Sequence, residues 1–598
     1  MSTNKEELKI APWLSSYGEV PHHLDYPDFS ISDALYESAL KYPNQVALTF
    51  QGVNTSYKNL VPQIDKAAKA FCAMGIREGD VVTVCMPNMP QTVIALYAIN
   101  RIGAVASMIH PLSAVHEIAF YLKEAQSKTI VSIDQFYGKI KKVMKLVELD
   151  HVIIARVSDA LDLVKGTAYK LLKERKFEHF EENKQLITWK TFMSYAKDCK
   201  TDPYVKKTGK DLAVILFSGG TTGVTKGIKL TNLNFNALAK QTGIMCNKRI
   251  QGNTMLAAMP MFHGFGLGVC VHTMMFWGGR SVLVPQVSVK GYSNLLKTAK
   301  PNFIAGVPTL YEGITRNQDM DKVDLSCLMG VFSGGDSLSI ELKKKLDKFL
   351  SDHHATVRVR EGYGTTECVT ACCLTPYNKE KEGSIGIPFP DTYFIICEPG
   401  TTKQVPFGVD GEICLRGPSV MMGYINHEEE NKSTLRVHQD GYTWLHTGDL
   451  GMMDEEGFVY FKQRIKRMII TSGYNVYPSQ IENIIDSMDE VQMSCVIGVP
   501  DAYKIQKVKA FVQLAPGNIA TDELKTRILN HCRERVAKYA MPYDIEFREQ
   551  LPKTLVGKIA YTVLEKEELS KLASNMTSNM ATISSNLASN LASAPSKA

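Results

Sequence analysis

The chain of 598 residues contains 44% hydrophobic and 22% charged residues, enough apolar content for several folded cores. Its formal charge of +6 is spread over 68 basic and 62 acidic residues, too weak a bias to indicate a nucleic-acid-binding protein or a protein held on an anionic membrane. The 13 cysteines show no CxxC pair and no metal-ligand spacing, which argues against a disulfide framework or a zinc site.

The sequence predicts neither a secretory signal nor a membrane-spanning segment. The first residues, Met-Ser-Thr-Asn-Lys-Glu-Glu, lack the apolar stretch of a secretory signal, so we expect a cytoplasmic protein. The most apolar region, residues 255–279, is interrupted by Pro260, His263 and His272 and is predicted to be a buried core segment. Peripheral association with a membrane is left open, although no motif supports it.

Short apolar runs alternate with longer helical patterns through most of the chain. Examples of such runs, rich in β-branched residues, are residues 81–85, 129–133, 213–217 and 303–307. The alternation predicts an α/β fold with parallel or mixed sheets. We assign residues 31–464 to this large domain and residues 1–30 to an N-terminal extension.

Residues 156–204 differ from this pattern. They are rich in Lys, Glu and aromatic residues and contain no strand-like block. We therefore predict a helical insertion in the large domain, with some mobility.

A second, smaller α+β domain is predicted over residues 465–568. Its strands are expected at residues 468–470, 494–499 and 508–514, and a helix is expected to begin near Ser479.

The last 30 residues, 569–598, consist almost wholly of Ser, Ala, Asn, Thr, Leu and Met and have low complexity. Spacings of three or four residues would place six apolar side chains on one helical stripe: Leu572, Met576, Met580, Ile583, Leu587 and Leu591. Ser, Asn and Thr are poor helix formers, however. The pattern leaves open a disordered tail or an amphipathic helix that docks on a protein partner or on the enzyme itself.

The composition of residues 218–227 indicates a phosphate-binding loop after a strand. The segment reads Ser-Gly-Gly-Thr-Thr-Gly-Val-Thr-Lys-Gly. Its glycines would let backbone N–H groups approach a polyphosphate, and its hydroxyls and lysine supply hydrogen bonds and charge. Taken alone, the segment is also compatible with a flexible surface turn. The spacing is not that of a Walker A motif, and Val269 replaces the third glycine of a dinucleotide fingerprint, so P-loop kinases and nicotinamide dehydrogenases are poorly supported.

Three further motifs suit a nucleotide. Residues 363–367, Tyr-Gly-Thr-Thr-Glu, combine an aromatic ring, two hydroxyls and a carboxylate, a set suited to stacking a base, contacting phosphate and holding Mg²⁺. Residues 446–449, His-Thr-Gly-Asp, offer a carboxylate for ribose hydroxyls. Lys558 follows Gly557 in a loop and is able to neutralise a carboxylate and a phosphate together.

In this order along the chain, the motifs resemble the adenylate-forming superfamily, and within it the acyl-CoA synthetases. The resemblance runs from about residue 30 to residue 565 and includes Arg464 and the terminal Gly-Lys. It implies a large domain and a small mobile domain, with ATP, Mg²⁺ and coenzyme A as cofactors. The implied substrate is a small-molecule carboxylic acid, expected to be a fatty or other hydrophobic acid. The implied reaction forms an acyl-adenylate and pyrophosphate, and then transfers the acyl group to coenzyme A with release of AMP.

The resemblance also implies roles for individual residues. The implied catalytic residues are Thr366, Glu367, Lys558 and His263. The implied cofactor-binding residues are Ser218, Gly219, Gly220, Thr221, Thr222, Gly223, Lys226, Gly334, Gly335, Asp336, Tyr363, Gly364, Thr365, Asp449, Arg464, Lys466, Ser472, Gly473 and Tyr474. Glu367 and Thr222 are the implied magnesium ligands.

In the first half-reaction, the loop at residues 218–227 would cradle the β- and γ-phosphates, and Thr366 would face the α-phosphate. Residues 334–336 and the ring of Tyr363 would enclose the adenine, whereas Asp449 and Arg464 would bind the ribose. Lys558 would bridge the substrate carboxylate and the α-phosphate.

In the second half-reaction, the small domain would rotate about Lys466. Residues 472–475 would then help to line the pantetheine tunnel. Lys507 and Lys509 would lie near the phosphates of coenzyme A, or they would form a solvated strand edge.

His263 would border the acyl-binding pocket, with a buried structural histidine as the alternative. The glycines at 264, 266 and 268 are expected to leave space for a long or bulky acyl group.

Departures from the family pattern affect mainly the hinge and the thiol-binding side. Thr225 replaces a common proline, Gln463 replaces the usual glycine before Arg464, and Ile505-Gln506 replaces a common Gly-Glu. Three alternative functions are transfer of the acyl group to a free carrier protein, a luciferase-like oxidoreductase and a non-catalytic nucleotide-binding protein.

Overall fold

A computed structural model describes residues 10–217, 225–247, 249–471, 474–501, 503–554, 557–572 and 574. The chain forms two compact units, Met1–Phe461 and Lys462–Ala598. The division therefore falls between Phe461 and Lys462, whereas the sequence places it after Arg464. The large unit has parallel and mixed sheets covered by helices, so the predicted α/β class is confirmed.

The strands of the large unit are short and mostly buried. In chain order they are β1 Val46–Phe50, β2 Val53–Ser56, β3 Val81–Val84, β4 Val105–Met108, β5 Thr129–Ile133, β6 His151–Ala155, β7 Leu186–Thr188, β8 Leu212–Phe217, β9 Gly227–Thr231, β10 Thr254–Ala257, β11 Arg280–Leu283, β12 Phe303–Gly306, β13 Gly330–Ser333, β14 Val359–Tyr363, β15 Cys373–Leu374, β16 Ile387–Pro388, β17 Tyr393–Cys397, β18 Gly411–Arg416, β19 Gly423–Tyr424, β20 Leu435–Val437, β21 Thr443–Met453 and β22 Val459–Arg464, which crosses the unit boundary.

These strands form three sheets among the described residues. The first has the order β16-β15-β14-β13-β12-β10-β11-β1-β2 and the second has the order β19-β9-β8-β4-β3-β5-β6-β7. The third has the order β17-β18-β21-β20, and β22 also pairs with β21. The central strands of the first two sheets run parallel, as their continuous apolar sequences predict.

The α-helices of the large unit are α1 Ile31–Lys41, α2 Tyr57–Ala73, α3 Pro90–Arg101, α4 Val115–Glu124, α5 Tyr137–Val143, α6 Leu163–Leu172, α7 Trp189–Ser194, α8 Asn232–Met245, α9 Thr273–Trp277, α10 Val289–Ala299, α11 Pro308–Thr315, α12 Ile340–Asp352 and α13 Glu428–Thr434. Capping residues and proline in the local sequence determine where some of these helices begin. Ser30 and Asp33 form a capping box at α1, in which the Asp33 N–H donates to Ser30 Oγ at 2.9 Å. Pro90 occupies the first turn of α3, where no backbone N–H is needed.

The prediction of a purely helical insertion over residues 156–204 is wrong. The segment contains α6 and α7, but it also contains β7, which pairs in parallel with β6 at the edge of the second sheet. Leu186 and Ile187 of β7 are buried. A strand of three residues is too short to show a periodicity in the sequence.

The described part of the N-terminal extension, residues 10–30, contributes to the core of the large unit. Trp13 is only 1% exposed and packs edge-on against Tyr393, with 6.3 Å between ring centroids. The Tyr17 hydroxyl donates to the Pro388 carbonyl at 2.8 Å, and the Tyr26 hydroxyl donates to Asp391 at 2.7 Å. These contacts fix the extension on the strands that it covers.

The apolar region at residues 255–279 lies inside the large unit. It contains β10, a π-helical stretch Phe265–His272 and α9, and every residue of the π-helical stretch is buried. None of the helices in the described part of the chain is both long and apolar enough to cross a membrane.

The small unit is an α+β structure with its own core. Its strands are β23 Ile469–Thr471, β24 Tyr474–Val476, β25 Val491–Asp501, β26 Ile505–Leu514 and β27 Asp544–Arg548, and its helices include α14 Pro478–Asp486 and α15 Asp522–Arg533. The sheet has the order β24-β23-β26-β25, with β27 paired to β26. Residues 561–572 are also helical, and Leu572 packs against the buried side chains of this unit. The other five residues of the predicted apolar stripe lie outside the described residues.

Candidate active site

Two of the predicted nucleotide-binding segments follow neighbouring parallel strands. Residues 334–336 come directly after β13, and Tyr363 is the last residue of β14. The register pairs Ser333 with Glu361, so both segments emerge at the same edge of the sheet. In open α/β sheets this carboxyl edge is where ligands bind. A Cβ placed on Gly334 would lie 3.0 Å from the Gly362 carbonyl, which shows how closely the two backbones approach.

Tyr363 and Asp449 are joined by a hydrogen bond between their side chains. The buried Tyr363 hydroxyl donates to Asp449 Oδ2 at 2.7 Å, and the rings of Phe394 and Phe461 lie 6.3 and 6.0 Å from the Tyr363 ring. Burial raises the pKa of Tyr363, and the charge of Asp449 raises it further, so the phenol is a hydrogen-bond donor at neutral pH. The structure therefore brings together Tyr363, predicted to contact the adenine, and Asp449, predicted to contact the ribose.

Glu412 of β18 holds the turn that carries Asp449. Its Oε1 accepts from the Gly448 N–H at 3.0 Å, and its Oε2 lies 2.9 Å from His446 Nδ1. Burial alone would raise the pKa of Glu412, but the hydrogen bond and charge of His446 and the Gly448 N–H bring it below its ordinary value. The Cys414 thiol lies within 4.8 Å of these ligand atoms. Hydrogen bonds already satisfy both carboxylate oxygens, so the cluster is explained as a support for the turn.

A second cluster joins Lys226 to Glu367 through Tyr424. The Tyr424 hydroxyl donates to Glu367 Oε1 at 2.8 Å, and Lys226 Nζ lies 4.9 Å from the centre of the Tyr424 ring. Lys226 Nζ is also 3.6 Å from a carboxylate oxygen of Glu430. The pairing of β19 with β9 places Tyr424 beside Ile228, which brings it next to Lys226.

Thr366 and its neighbours lie in a tight turn. Residues Thr366–Cys368 form a single turn of 3₁₀-helix, and the buried Thr365 donates its N–H to Cys368 Sγ at 3.3 Å. A Cβ on Gly364 would collide with the Thr370 carbonyl, so only glycine fits there. This turn sets the positions of the Thr366 hydroxyl and the Glu367 carboxylate.

The expectation that the glycines after His263 leave open space is wrong. A Cβ on Gly264 would collide with the Val369 carbonyl, and one on Gly266 would collide with the Pro260 carbonyl. At Gly268 it would lie 2.6 Å from a methyl group of Leu238. The absence of side chains at these glycines therefore allows the π-helical stretch to pack closely against its neighbours. His263 itself is half-buried, and its Nδ1 accepts from the Phe265 N–H at 3.2 Å.

In the small unit, Lys558 lies on a compact turn. Thr554 N–H donates to the Lys558 carbonyl at 2.7 Å, and Lys558 N–H donates to Thr554 Oγ1 at 3.2 Å. Lys466 is exposed in a short 3₁₀ turn directly after the half-buried Arg464. Tyr474 is exposed and stacks on Tyr539 with 4.4 Å between ring centroids.

Lys509 is not placed to bind phosphates of coenzyme A. Its side chain is 6% exposed, and its Nζ lies 2.7 Å from Glu546 and 2.9 Å from Glu568. The alternative of a solvated strand edge is equally wrong for this residue. Lys507 is more exposed, lies 3.8 Å from Asp501 and covers the Tyr543 ring.

Several predicted site residues lie outside the described residues. They are Ser218, Gly219, Gly220, Thr221, Thr222, Gly223, Ser472 and Gly473.

Comparisons with known proteins identify the family of the chain. A family model described as AMP-binding enzyme matches residues 35–425, which is more than half of the chain, and one described as AMP-binding enzyme C-terminal domain matches residues 480–558. The chain belongs to this family. The resemblance inferred from the motifs is therefore confirmed, and with it the class of AMP-forming acid–thiol ligase, for which ATP and coenzyme A are substrates.

Individual relatives match over nearly their whole length. The long-chain-fatty-acid–CoA ligase of Bacillus subtilis is 34% identical over 564 residues, covering 93% of this chain and 98% of the relative. The enzyme of the same name from Yersinia pestis is 32% identical over 574 residues, covering 93% and 98%. The crystal structure of ATP-bound MatB from Rhodopseudomonas palustris has a TM-score of 0.77 and 25% identity, covering 90% of this chain and 98% of MatB.

Sequence reasoning missed Tyr424 and the role of Glu412. Tyr424 follows a glycine in a short strand, and Glu412 follows the glycine that begins β18. Neither residue lies in a motif with an evident chemical role, and only the strand pairings bring them to the site.

Proposed function

We propose that the protein activates a long-chain fatty acid with ATP and transfers the acyl group to coenzyme A. The observation that carries this proposal is the similarity to two bacterial long-chain-fatty-acid–CoA ligases, which extends over more than nine tenths of each chain. The half-reactions would be acyl-adenylate formation with release of pyrophosphate, and thioester formation with release of AMP. A cytoplasmic location, inferred from the sequence, is part of the proposal.

Tyr363 and Asp449 would form the nucleoside part of the site. Their hydrogen bond fixes the Tyr363 hydroxyl, and residues 334–336 follow the adjacent strand at the same edge of the sheet, so a flat base would stack between these residues and the Tyr363 ring. The Glu412 carboxylate holds the turn of Asp449 from behind. This support would let Asp449 accept hydrogen bonds from ribose hydroxyls without moving.

Glu367 is the proposed magnesium ligand, together with Thr222. Carboxylate and hydroxyl oxygens are ligands of the type that Mg²⁺ takes, and the Tyr424 hydroxyl orients the Glu367 carboxylate through Oε1. When bound, the ion would reduce the negative charge of the phosphates. Lys226 stands over the same tyrosine ring and would add positive charge on the phosphate side.

The chemical difficulty is that an anionic carboxylate must attack an anionic α-phosphate. Charge neutralisation and alignment therefore account for most of the rate. Thr366 would donate a hydrogen bond to the α-phosphate, and Lys558 would neutralise both reactants. Rotation of the small unit about Lys466 would then remove Lys558 and bring the thiol-binding residues to the adenylate.

The acyl chain would enter the apolar region beside the π-helical stretch. A cavity of about 10 Å³ lies there, with room for roughly one water molecule. Its lining includes Met255, Val269, Met274, Phe303 and Phe332. Methionine side chains are adaptable, so a chain could open this space by displacing them. The proposal therefore predicts that the pocket widens when the substrate binds.

The test is release of AMP and pyrophosphate with ATP and Mg²⁺ across carboxylic acids from acetate through long-chain fatty acids to aryl acids. We expect AMP release that requires coenzyme A and is fastest with a long-chain acid. Val269→Phe, on the cavity wall, should shift the preference to shorter acids. A preference for aryl or short acids would overturn the assignment of substrate. Pyrophosphate exchange without thioester formation would instead favour a free carrier protein as acceptor.

A further inference from the structure

Helix α6 presents an apolar face to solvent. Its large apolar side chains are strongly exposed: Leu163 86%, Val164 79%, Leu171 50% and Leu172 68%. Four such side chains on a helix of ten residues form a patch of the kind that marks an interaction site. The patch has no role in the adenylation and transfer steps described above.

The orientation of α6 follows from its periodicity. At 100° per residue, positions 163, 164, 171 and 172 share one side of the helix, and positions 166 and 169 lie on the opposite side. Gly166 is buried, close to the Ser158 carbonyl, and Tyr169 is half-buried. The helix therefore rests on the protein through Gly166 and Tyr169 and turns its apolar side chains away from it.

Positive charge surrounds this face. Lys165 and Lys170 lie at its two margins on the helix projection, and three exposed cations follow at the C-terminal end: Lys173, Arg175 and Lys176. Among the described residues, none of Lys170, Lys173, Arg175 and Lys176 forms an ion pair. Two acids of this segment bind backbone groups: Glu174 accepts from the Ser158 N–H at 3.1 Å, and Asp162 accepts from the Lys165 N–H at 2.8 Å and also pairs with Lys165 Nζ at 3.4 Å. The exposed Glu178 pairs with Lys141 at 2.7 Å.

We propose that α6 is a membrane-surface helix that inserts Leu163, Val164, Leu171 and Leu172 into the headgroup region of an anionic lipid bilayer, with the flanking cations on the lipid phosphates. An exposed apolar face bordered by Lys and Arg is the pattern of helices that lie in a membrane interface. The overall charge of the chain is weak, so the attraction is local to this segment. Delivery of the substrate from the bilayer would rest on the proposed function, whereas the membrane contact itself does not.

The experiment is co-sedimentation of the full-length protein with two kinds of vesicle. One contains phosphatidylcholine alone, and the other contains about 30 mol% phosphatidylglycerol as well. We expect binding to the anionic vesicles, weaker binding to the neutral ones and a decrease with added salt because salt screens the lipid charge. Failure of the wild-type protein to bind anionic vesicles would overturn the proposal.

Three double variants separate the effect of the helix from a general effect of charge. The Leu171→Glu/Leu172→Glu variant should bind anionic vesicles about tenfold less well or worse. The control, Leu40→Glu/Ile519→Glu, changes two apolar residues elsewhere that are even more exposed, and it should retain binding. Lys173→Gln/Lys176→Gln should weaken binding to anionic vesicles and leave binding to neutral ones unchanged.

The same proteins show whether the α6 variants fold correctly and whether the α6 face binds a second copy of the chain instead of a membrane. CoA-dependent AMP release from a water-soluble acid should be unchanged in the α6 variants, because α6 contacts none of the candidate site residues described above. Equal vesicle binding by the Leu171→Glu/Leu172→Glu variant and the wild type would overturn the proposal. A wild-type dimer in sedimentation velocity that this variant dissociates would also overturn it, because the face would then be an interface between two copies of the chain.

Discussion

The phenolic oxygen of Tyr424 lies 2.8 Å from Oε1 of Glu367, and the ammonium nitrogen of Lys226 lies 4.9 Å from the centre of the same ring. A residue outside the recognised motifs thus joins the end of the phosphate loop to the proposed magnesium ligand. The two groups come from different parts of the chain, and β19 supplies the link between them.

Tyr424→Phe should keep the ring beneath Lys226 and remove the hydrogen bond to Glu367. Loss of a bond to a charged group costs about 1.5–3 kcal/mol, so kcat/KM for ATP should fall roughly ten- to a hundredfold. The magnesium concentration needed for half-maximal rate should also rise. Steady-state kinetics at several magnesium concentrations measure both effects. Tyr503→Phe, at an exposed site in the small unit, is the control, and normal magnesium dependence in Tyr424→Phe would contradict the assignment.

Lys558 and Lys466 should affect opposite half-reactions. Lys558→Ala should lower pyrophosphate exchange by about a hundredfold or more and leave thioester formation from a supplied acyl-adenylate largely intact. Lys466→Ala should do the reverse. Lys553→Ala, an exposed lysine near the same turn, should change neither rate. Equal losses of both half-reactions in both variants would show that the proposed rotation is wrong.

Glu361 should make the large unit less stable as the pH rises. Burial raises the pKa of Glu361 to about 8; Lys343 opposes the shift, and the charges of Glu380 and Asp347 add to it. The unfolded carboxyl titrates near 4.3, so between about pH 4.5 and pH 8 the unfolded state binds fewer protons than the folded state. The free energy of unfolding therefore falls across this interval.

Glu361→Gln removes that titration and should gain about 2–4 kcal/mol relative to wild type between about pH 5 and pH 8. Denaturant unfolding of both proteins at the two pH values measures the change. Glu382→Gln, at an exposed site, should show no such trend. A difference between Glu361→Gln and wild type that is constant with pH would refute the buried, protonated carboxyl.

Lys509 should be a stability residue. Lys509→Ala removes the buried cation between Glu546 and Glu568, which keep the half-exposed Lys571 as a partner. Loss of one partner of a buried ion pair costs about 3–5 kcal/mol, and because Lys571 remains we expect a loss at or below the lower end of this range. Lys507→Ala should cost about 1 kcal/mol or less because its ion pair is more exposed. Unfolding of the two variants, followed by a probe in the small unit, measures the difference. A raised KM for coenzyme A with unchanged stability in Lys509→Ala would restore the earlier expectation.

The sequence predicted features that depend on local pattern. The strand at residues 129–133 and the π-helical core segment have apolar sequences that identify them, and the motifs containing Tyr363 and Asp449 carry recognisable chemistry. The failures are at features that depend on tertiary contacts. The glycines after His263 do not leave open space, because the Val369 carbonyl, the Pro260 carbonyl and the Leu238 side chain pack against Gly264, Gly266 and Gly268 respectively. Lys509 was misjudged because its three acidic neighbours come from later segments of the chain.

Trp13 belongs to the core of the large unit although it lies before the family match, which starts at residue 35. Its backbone and Cβ lie against Gly457, where an added Cβ would come within 2.5 Å of the Trp13 nitrogen and 2.7 Å of the Trp13 Cβ, and its ring packs against Tyr393. A recombinant fragment trimmed to the matched region would lose this ring and leave an indole-sized hole, a loss of the kind that costs about 3–5 kcal/mol. Expression plasmids, proteolytic fragments and fusion junctions should therefore retain the residues from Ile10 onward.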